Sequence, residues 1–253
     1  MIQAQTQTAE YWGAQFSCTD ADIEQLVNHF IEVEKPQTIE QLTRALFKYR
    51  VAEEVRSIRR LVKGRLVYKP QENYAIGDEL VFPALDFKQG TVASVRKGFN
   101  PEEGNFSVIA VDIVGKTREF ASQYGAPHLL NVDDGDDIVE LLDLDAASLY
   151  HEYGHLVVDT LYDLLSDHPD FIEIDELWFV KSLMVEINVG HLHLSEAILE
   201  MGEGGPMEAD DLLTHLDMDP DIDIGVQRFS LNYALASDER LSLIHISEPT
   251  RLC

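Results

Sequence analysis

The chain has almost no cysteine, little positive charge and no long apolar run, and each lack removes a class of protein. Of its two cysteines, Cys253 falls in a terminal stretch set aside below, which leaves Cys18 alone. One thiol can form neither an intrachain disulfide nor a cysteine zinc cluster. No segment approaches the ~18 uninterrupted apolar residues that a membrane helix needs, so no membrane partner is expected. The opening MIQAQTQTAEYW lacks the basic and apolar regions of a secretory signal, which makes the cytoplasm the expected compartment. No Walker loop, GxGxxG or GxSxG occurs, so nucleotide binding and serine hydrolysis have no support.

The final stretch from Leu241 reads LSLIHISEPTR, which resembles an in-frame translation of a sequencing adapter. Residues 241–253 are therefore read as an adapter-derived scar, and the natural chain is expected to continue past Arg240.

Charge is unevenly spread. Residues 1–70 carry 10 basic and 9 acidic side chains (+1), residues 71–130 carry 5 and 8 (−3), and residues 131–253 carry 4 and 29 (−25). The only dense basic cluster is VRSIRRLVKGR, with Arg56, Arg59, Arg60, Lys63 and Arg65 at helical spacing leading into Gly64. Such a stripe is the electrostatic footprint of phosphate binding, although the same spacing also suits a solvated helix face.

Periodicity gives the organisation. DADIEQLVNHFIEVE places Ile23, Leu26, Val27 and Phe30 on one helical face, with Thr19 or Asp20 as N-cap. After Lys35-Pro36, TIEQLTRALFKYR and VAEEVRSIRRLV continue the helical period, and RLVYKP alternates. Three short helices and a strand are the order of a winged helix, whose third helix usually docks in a groove, and the basic cluster lies on that third helix. From Tyr74 the period becomes two. YAIGDELVF, GTVASVRKG, NFSVIAVDI and KTREFASQY read as short strands, separated by turn residues such as those from Asn100 to Gly104. A small antiparallel barrel of about five strands is expected there.

The acidic stretch NVDDGDDIVELLDLD follows; its Asp133, Asp134, Asp136 and Asp137 do not match the ligand order of a calcium loop and read as a solvated linker. Beyond it, TLYDLLSDHPDF and SLNYALASDER align at an offset of seventy residues, with Thr160 over Ser230, Leu161 over Leu231 and Leu165 over Leu235, which suggests a repeated unit. Between them, Glu196-Ala197-Ile198-Leu199, Gly205-Pro206-Met207, Leu212-Leu213 and the helix from Phe229 to Asp238 resemble the HARE-type helix-turn-helix, a winged-helix family related to the N-terminal domain of the RNA polymerase delta subunit. That resemblance implies a transcription-linked or protein-binding module. The pattern GxVxxVRxGxNPxxGxFxVI, from Gly90 to Ile109, also resembles a group of bacterial multidomain proteins; it implies an architecture and no activity.

One motif points elsewhere. In LYHEYGHLV, His151 and His155 stand four apart, the spacing with which a zinc peptidase helix holds its metal while Glu152 activates the bound water. Glu173 or Glu176 could supply a third ligand, and Glu176 is the candidate taken, since ELWFVKSLM is similar to the second helix of small gluzincins. Against this, a chain rich in Glu and His makes HExxH matches by chance, and the repeat makes DELWFVKSL a wing strand, with Glu176 in a turn. His191 and His193 in GHLHL read as capping or core residues.

The expected fold class is α+β: tandem winged-helix domains around a small SH3-like antiparallel β-barrel. The boundaries are a disordered tail (1–18), a first winged helix (19–70), the barrel (71–130), the acidic linker (131–145), a winged-helix-like unit (146–188) and a truncated HARE-like winged helix (189–240). The expected function is non-enzymatic and transcription-associated, without a cofactor. DNA or RNA would meet the first winged helix and a basic protein the acidic C-terminal half. The alternatives are a zinc hydrolase on His151, His155, Glu176 and Glu152, and a scaffold that only joins partners.

Overall fold

A computed structural model of the chain describes residues 3–100, 104–131, 135–201 and 207–238. Residues 101–103 of the expected barrel turn, 132–134 of the acidic linker (with Asp133 and Asp134), 202–206 (with Gly205 and Pro206) and 239–253 (with the scar) lie outside these. The fold is mixed α+β, with two sheets and eight α-helices among the described residues. No helix among them is long and apolar enough to cross a membrane. The chain divides into two compact units, each made of two segments. Unit 1 is Met1–Phe16 with Phe47–Tyr153, and unit 2 is Ser17–Leu46 with Gly154–Cys253.

In unit 2, α1 (Asp20–Val33) starts where a threonine was expected to cap it. The Thr19 backbone N–H and hydroxyl both donate to the Asp22 carboxylate, at 2.7 and 2.6 Å, in a capping box that satisfies orphan amides of the first turn. Two-residue β1 (Gln37–Thr38) follows Pro36, and α2 (Ile39–Val62) begins at once. Further along come α5 (Val158–Asp167), β7 (Phe171–Ile174) and β8 (Leu177–Val180). The antiparallel sheet has the order β1-β8-β7, so Gln37 pairs with Trp178 across most of the chain. Phe30 of α1 lies against Phe171 and Phe179, and Phe179 against Phe229, giving an aromatic core between helices and sheet. Helices α6 (Val189–Met201), α7 (Ala209–Leu213) and α8 (Ile224–Ser237) build a separate apolar cluster around Leu199, Leu212, Leu213, Leu216, Leu231 and Leu235. His191 and His193 lie within α6, and both helices of the suggested repeat, α5 and α8, are present.

The expected break after Arg50 is not there. Ile39–Val62 is one helix of 24 residues, because no Gly or Pro interrupts it and a single Val51 costs only a few tenths of a kcal/mol, roughly, in helix propensity. The basic cluster thus lies on the last turns of a second helix and not on a third. The strand expected to close the first winged helix, β2 (Leu66–Val67), instead pairs in parallel with β3 (Glu79–Phe82) in unit 1.

Unit 1 carries a five-stranded sheet of order β2-β3-β4-β5-β6, with β4 at Lys88–Lys97, β5 at Ser107–Ile113 and β6 at Lys116–Ser122. Apart from β2 it is an antiparallel meander, at the four places where the alternation predicts strands. No strand ladder joins β2 to β6 among the described residues. Instead Gln123 and Tyr124 donate backbone N–H bonds to the carbonyls of Glu72 and Pro70, and the Tyr68 hydroxyl donates to the Ala121 carbonyl at 2.7 Å. Burial pushes the pKa of Tyr68 and Tyr74 upward, Tyr74 to about 12, which keeps both hydroxyls protonated as donors. Gly90 of β4 is a close-approach position: a Cβ there would stand 2.6 Å from side-chain carbons of Val111 and Ile113. Gly90→Ala is expected to destabilise unit 1 by about 1–3 kcal/mol through overpacking, read as a lower urea midpoint; an unchanged midpoint would mean the sheet yields there.

Within the segment expected to be a disordered tail (1–18), the described residues include regular turns and a buried side chain. Gln5–Gln7 forms a 3-10 turn and Tyr11–Gln15 a π-helical turn. Trp12 is fully buried and stacks on Phe47 with ring centroids 3.7 Å apart, while its indole N–H donates to the Thr6 carbonyl at 2.7 Å. The Glu54 carboxylate accepts the backbone N–H groups of Gln5 and Thr6 at 2.6 and 2.9 Å. One buried indole outweighs the polar composition around it, because it removes more apolar surface from water than any other side chain in the segment could. Two short helices, α3 (Gly135–Leu141) and α4 (Ala146–Tyr153), complete the unit.

Candidate functional site

Helix α2 positions the basic cluster. In unit 1 its Val51, Ile58 and Val62 are buried, and Val55, Ile58, Leu61 and Val62 pack with Val81, Phe87, Ile138 and Leu142. At about 100° of rotation per residue, Arg56, Arg59, Arg60 and Lys63 fall within an arc of about 100° on the other side, and all four are exposed. Gly64, at φ +70°, ends the helix in the left-handed conformation that glycine adopts without cost, and Arg65 follows, also exposed. The Arg65 guanidinium donates to the Leu61 carbonyl at 3.2 Å, occupying an acceptor of the last turn. Glu53 tempers the stripe, with one carboxylate oxygen 2.6 Å from Arg56 Nη2 and the other 4.0 Å from Arg60 Nη2. All five predicted basic residues are therefore together at one helix end, where cations also complement the helix dipole.

Unit 2 presents the opposite charge. On α5, Leu161 and Leu165 are buried, whereas Asp159, Asp163 and Asp167 follow each other at intervals of four along an exposed line. Asp170, Glu173, Asp175 and Glu176 continue the acid through the β7–β8 hairpin, so residues 158–181 hold seven carboxylates against Lys181. The hairpin turn consists of Asp175 and Glu176, both at positive φ (52° and 64°), as a two-residue turn that matches strand twist requires. The Tyr162 hydroxyl donates to Glu173 at 2.7 Å, tying helix to hairpin.

The HExxH residues are placed differently from a zinc helix. His151 and Glu152 are exposed on α4, which ends at Tyr153; Gly154–Leu156, with exposed His155, is a 3-10 turn. The α-helical twist that aligns residues four apart stops before the second histidine, at a buried glycine of low helix propensity. The neighbouring Glu152 carboxylate raises the pKa of the Tyr153 phenol, whose hydroxyl donates to the Gln7 carbonyl at 3.3 Å. Glu176 is on the hairpin turn, not on a helix. Among the described residues no three His, Cys, Asp or Glu side chains are grouped to hold a metal ion. Elemental analysis of untagged protein is expected to give well under one zinc per chain, with no change in His155→Ala. One zinc per chain, lost in that variant, would favour the zinc hydrolase.

Sequence reasoning missed two features: the acidic line on α5, which hides in a segment that is acidic throughout, and the anchoring of the N-terminal segment, for which Trp12 was the available signal. No family model, no curated protein and no solved structure matches this chain.

Proposed function

We propose that this is a non-enzymatic interaction protein of winged-helix type, transcription-associated, that contacts nucleic acid through the end of α2. The observation that carries the reading is the exposed arc of Arg56, Arg59, Arg60 and Lys63, continued by Arg65, in a chain of net charge −27. A basic arc in an acidic chain is a local device: at about 0.15 M salt the Debye length is about 8 Å, so carboxylates farther away than that are largely screened while phosphates in contact are not. The test is the salt dependence of duplex binding by the chain and its arginine variants, argued in the Discussion.

Protein binding through unit 2 is supported by a separate observation. Helix, strand, helix, helix, strand, strand, with sheet order β1-β8-β7, is the element order of a winged helix, here supplied by α1, β1, the start of α2, α5, β7 and β8. In that reading the third helix, the one that usually enters a groove, is α5. Two like charges about 5 Å apart repel by about 0.8 kcal/mol even in bulk water, so a line of aspartates and an acidic hairpin disfavour phosphate by as much as base contacts could return. The same face fits a Lys- and Arg-rich protein segment. The apolar cluster of α6, α7 and α8 supports the HARE-like reading of the C-terminal helices, and the bonds from Gln123, Tyr124 and Tyr68 support a barrel-like curl of the five-stranded sheet. Replacing Asp159, Asp163 and Asp167 with Asn is expected to weaken capture of a flexible lysine-rich peptide about tenfold or more at low salt, measured by fluorescence anisotropy. Equal capture by parent and variant would remove this surface.

A further inference from the structure

Helix α6 is apolar on two opposite sides, and only one of them meets a core. Ser195 and Leu199 are buried, and Leu192 and Ile198 beside them pack with Leu199 into the cluster built with α7 and α8. At about 100° of rotation per residue, the opposite arc is about 140° wide, from Val189 to Leu194, and every residue on it is exposed. It carries Val189, Leu194, Ala197 and Met201, with His193 and Glu200 as its polar side chains. Val189, Leu194 and Met201 are 65%, 43% and 80% exposed. A solvated helix face ordinarily carries charged and polar side chains, whereas a helix apolar all round is one that is covered all round.

Spacing indicates what covers it. Gly190, Leu194, Ala197 and Met201 follow at intervals of four, three and four residues, the repeat with which one helix meets another along a seam. Charge indicates which kind of helix. Between Lys181 and Arg228 the chain has eleven Asp and Glu and no Lys or Arg. Glu200 lies on the exposed arc and Glu186 just before α6, both in solvent. Pairing α6 with a second α6 sets carboxylates against carboxylates, and like charges brought together across an interface oppose association. A helix with cationic flanks meets the same carboxylates as attraction, as charges beside a coiled-coil seam do when they choose a partner.

We propose that the exposed face of α6 docks an amphipathic helix of a protein partner, apolar along its seam and flanked by lysine or arginine. Leu194, Ala197 and Met201 are the anchors, at the i, i+3 and i+7 positions from which helices are recognised. The surface differs in kind from the aspartate line of α5. There charge alone is offered, whereas α6 requires an apolar line as well, so a flexible lysine-rich segment does not satisfy it.

The experiment is fluorescence anisotropy of the full chain with three peptides of equal length at moderate salt. One has a leucine seam flanked by lysines, the second the same seam flanked by glutamates, and the third the same lysines with serine in place of the leucines. Saturable binding of the first is expected, with the other two at least about tenfold weaker. Leu194→Ser combined with Met201→Ser is expected to weaken the first peptide about tenfold or more, through lost apolar contact. Both positions are exposed, so neither change opens a cavity, and circular dichroism checks the helix. Asparagine at Asp159, Asp163 and Asp167 is expected to leave most of this binding in place, which separates the α6 surface from that of α5. No saturable binding of the lysine-flanked helix, equal binding of either control peptide, or undiminished binding by the double serine variant would overturn the proposal. So would self-association of the chain that the double variant abolishes in sedimentation equilibrium, because the face would then belong to a second copy.

Discussion

Replacing Arg59 and Arg60 together with alanine is expected to weaken binding of a short DNA duplex about 30- to 100-fold near 0.1 M salt, and to flatten the dependence of log K on log salt by about two units. The magnitude follows from counterion release: each phosphate neutralised on a duplex contributes about 0.9 to that slope, which at about 0.1 M is close to a factor of ten in affinity. Both side chains are exposed, so the substitution leaves no cavity, and alanine is the best helix former. The stability change expected from lost helix-end electrostatics and exposed ion pairing, such as that of Arg60 with Glu53, is about 1 kcal/mol per charge or less. Affinity and melting temperature therefore separate: a large fall in the first with little change in the second marks a binding role. Lysine at both positions keeps the charge and is expected to restore most of the slope; any affinity that stays lost belongs to the guanidinium geometry. Unchanged affinity in the alanine variant would assign the stripe to solvation alone.

The largest stability effect is expected at Trp12. Trp12→Ala removes a fully buried indole stacked on Phe47 and should cost unit 1 about 3–5 kcal/mol, seen as a large drop in the urea midpoint. Trp12→Phe keeps a ring on Phe47 but loses the bond to the Thr6 carbonyl, so a smaller loss is expected. A free N-terminal tail would give no change in either variant.

The local elements were largely legible in the sequence. Four strands of the five-stranded sheet follow from alternation between turn residues, and the start of α1 follows from Thr19 or Asp20 as N-cap, of which the structure uses Thr19. The charge stripe on α2 was legible too, because charge and helical period are both sequence properties. What the sequence hid was assembly. Strand β1 has two residues, too few for any period, and its partners Leu177 and Trp178 are about 140 positions away, so no local signal joins them. Arg50 and Val51 look like a boundary only if three helices are wanted in a row; propensity alone lets α2 run through. The HEYGH spacing is helical on paper, whereas Gly154 turns the backbone to a 3-10 path before the second histidine, a change that spacing alone does not carry. The N-terminal segment was misread by composition, which averaged a decisive tryptophan into a run of Gln and Thr.

Nucleic-acid contact by the end of α2 is tested by an amide NMR titration of the full chain with a short DNA duplex at moderate salt. Chemical-shift changes are expected for Arg56 to Arg65, with residues of α5 and the β7–β8 hairpin unmoved. Changes concentrated on Asp159 to Glu176, or none anywhere as the duplex is raised to saturation, would contradict the assignment of nucleic-acid contact to the end of α2.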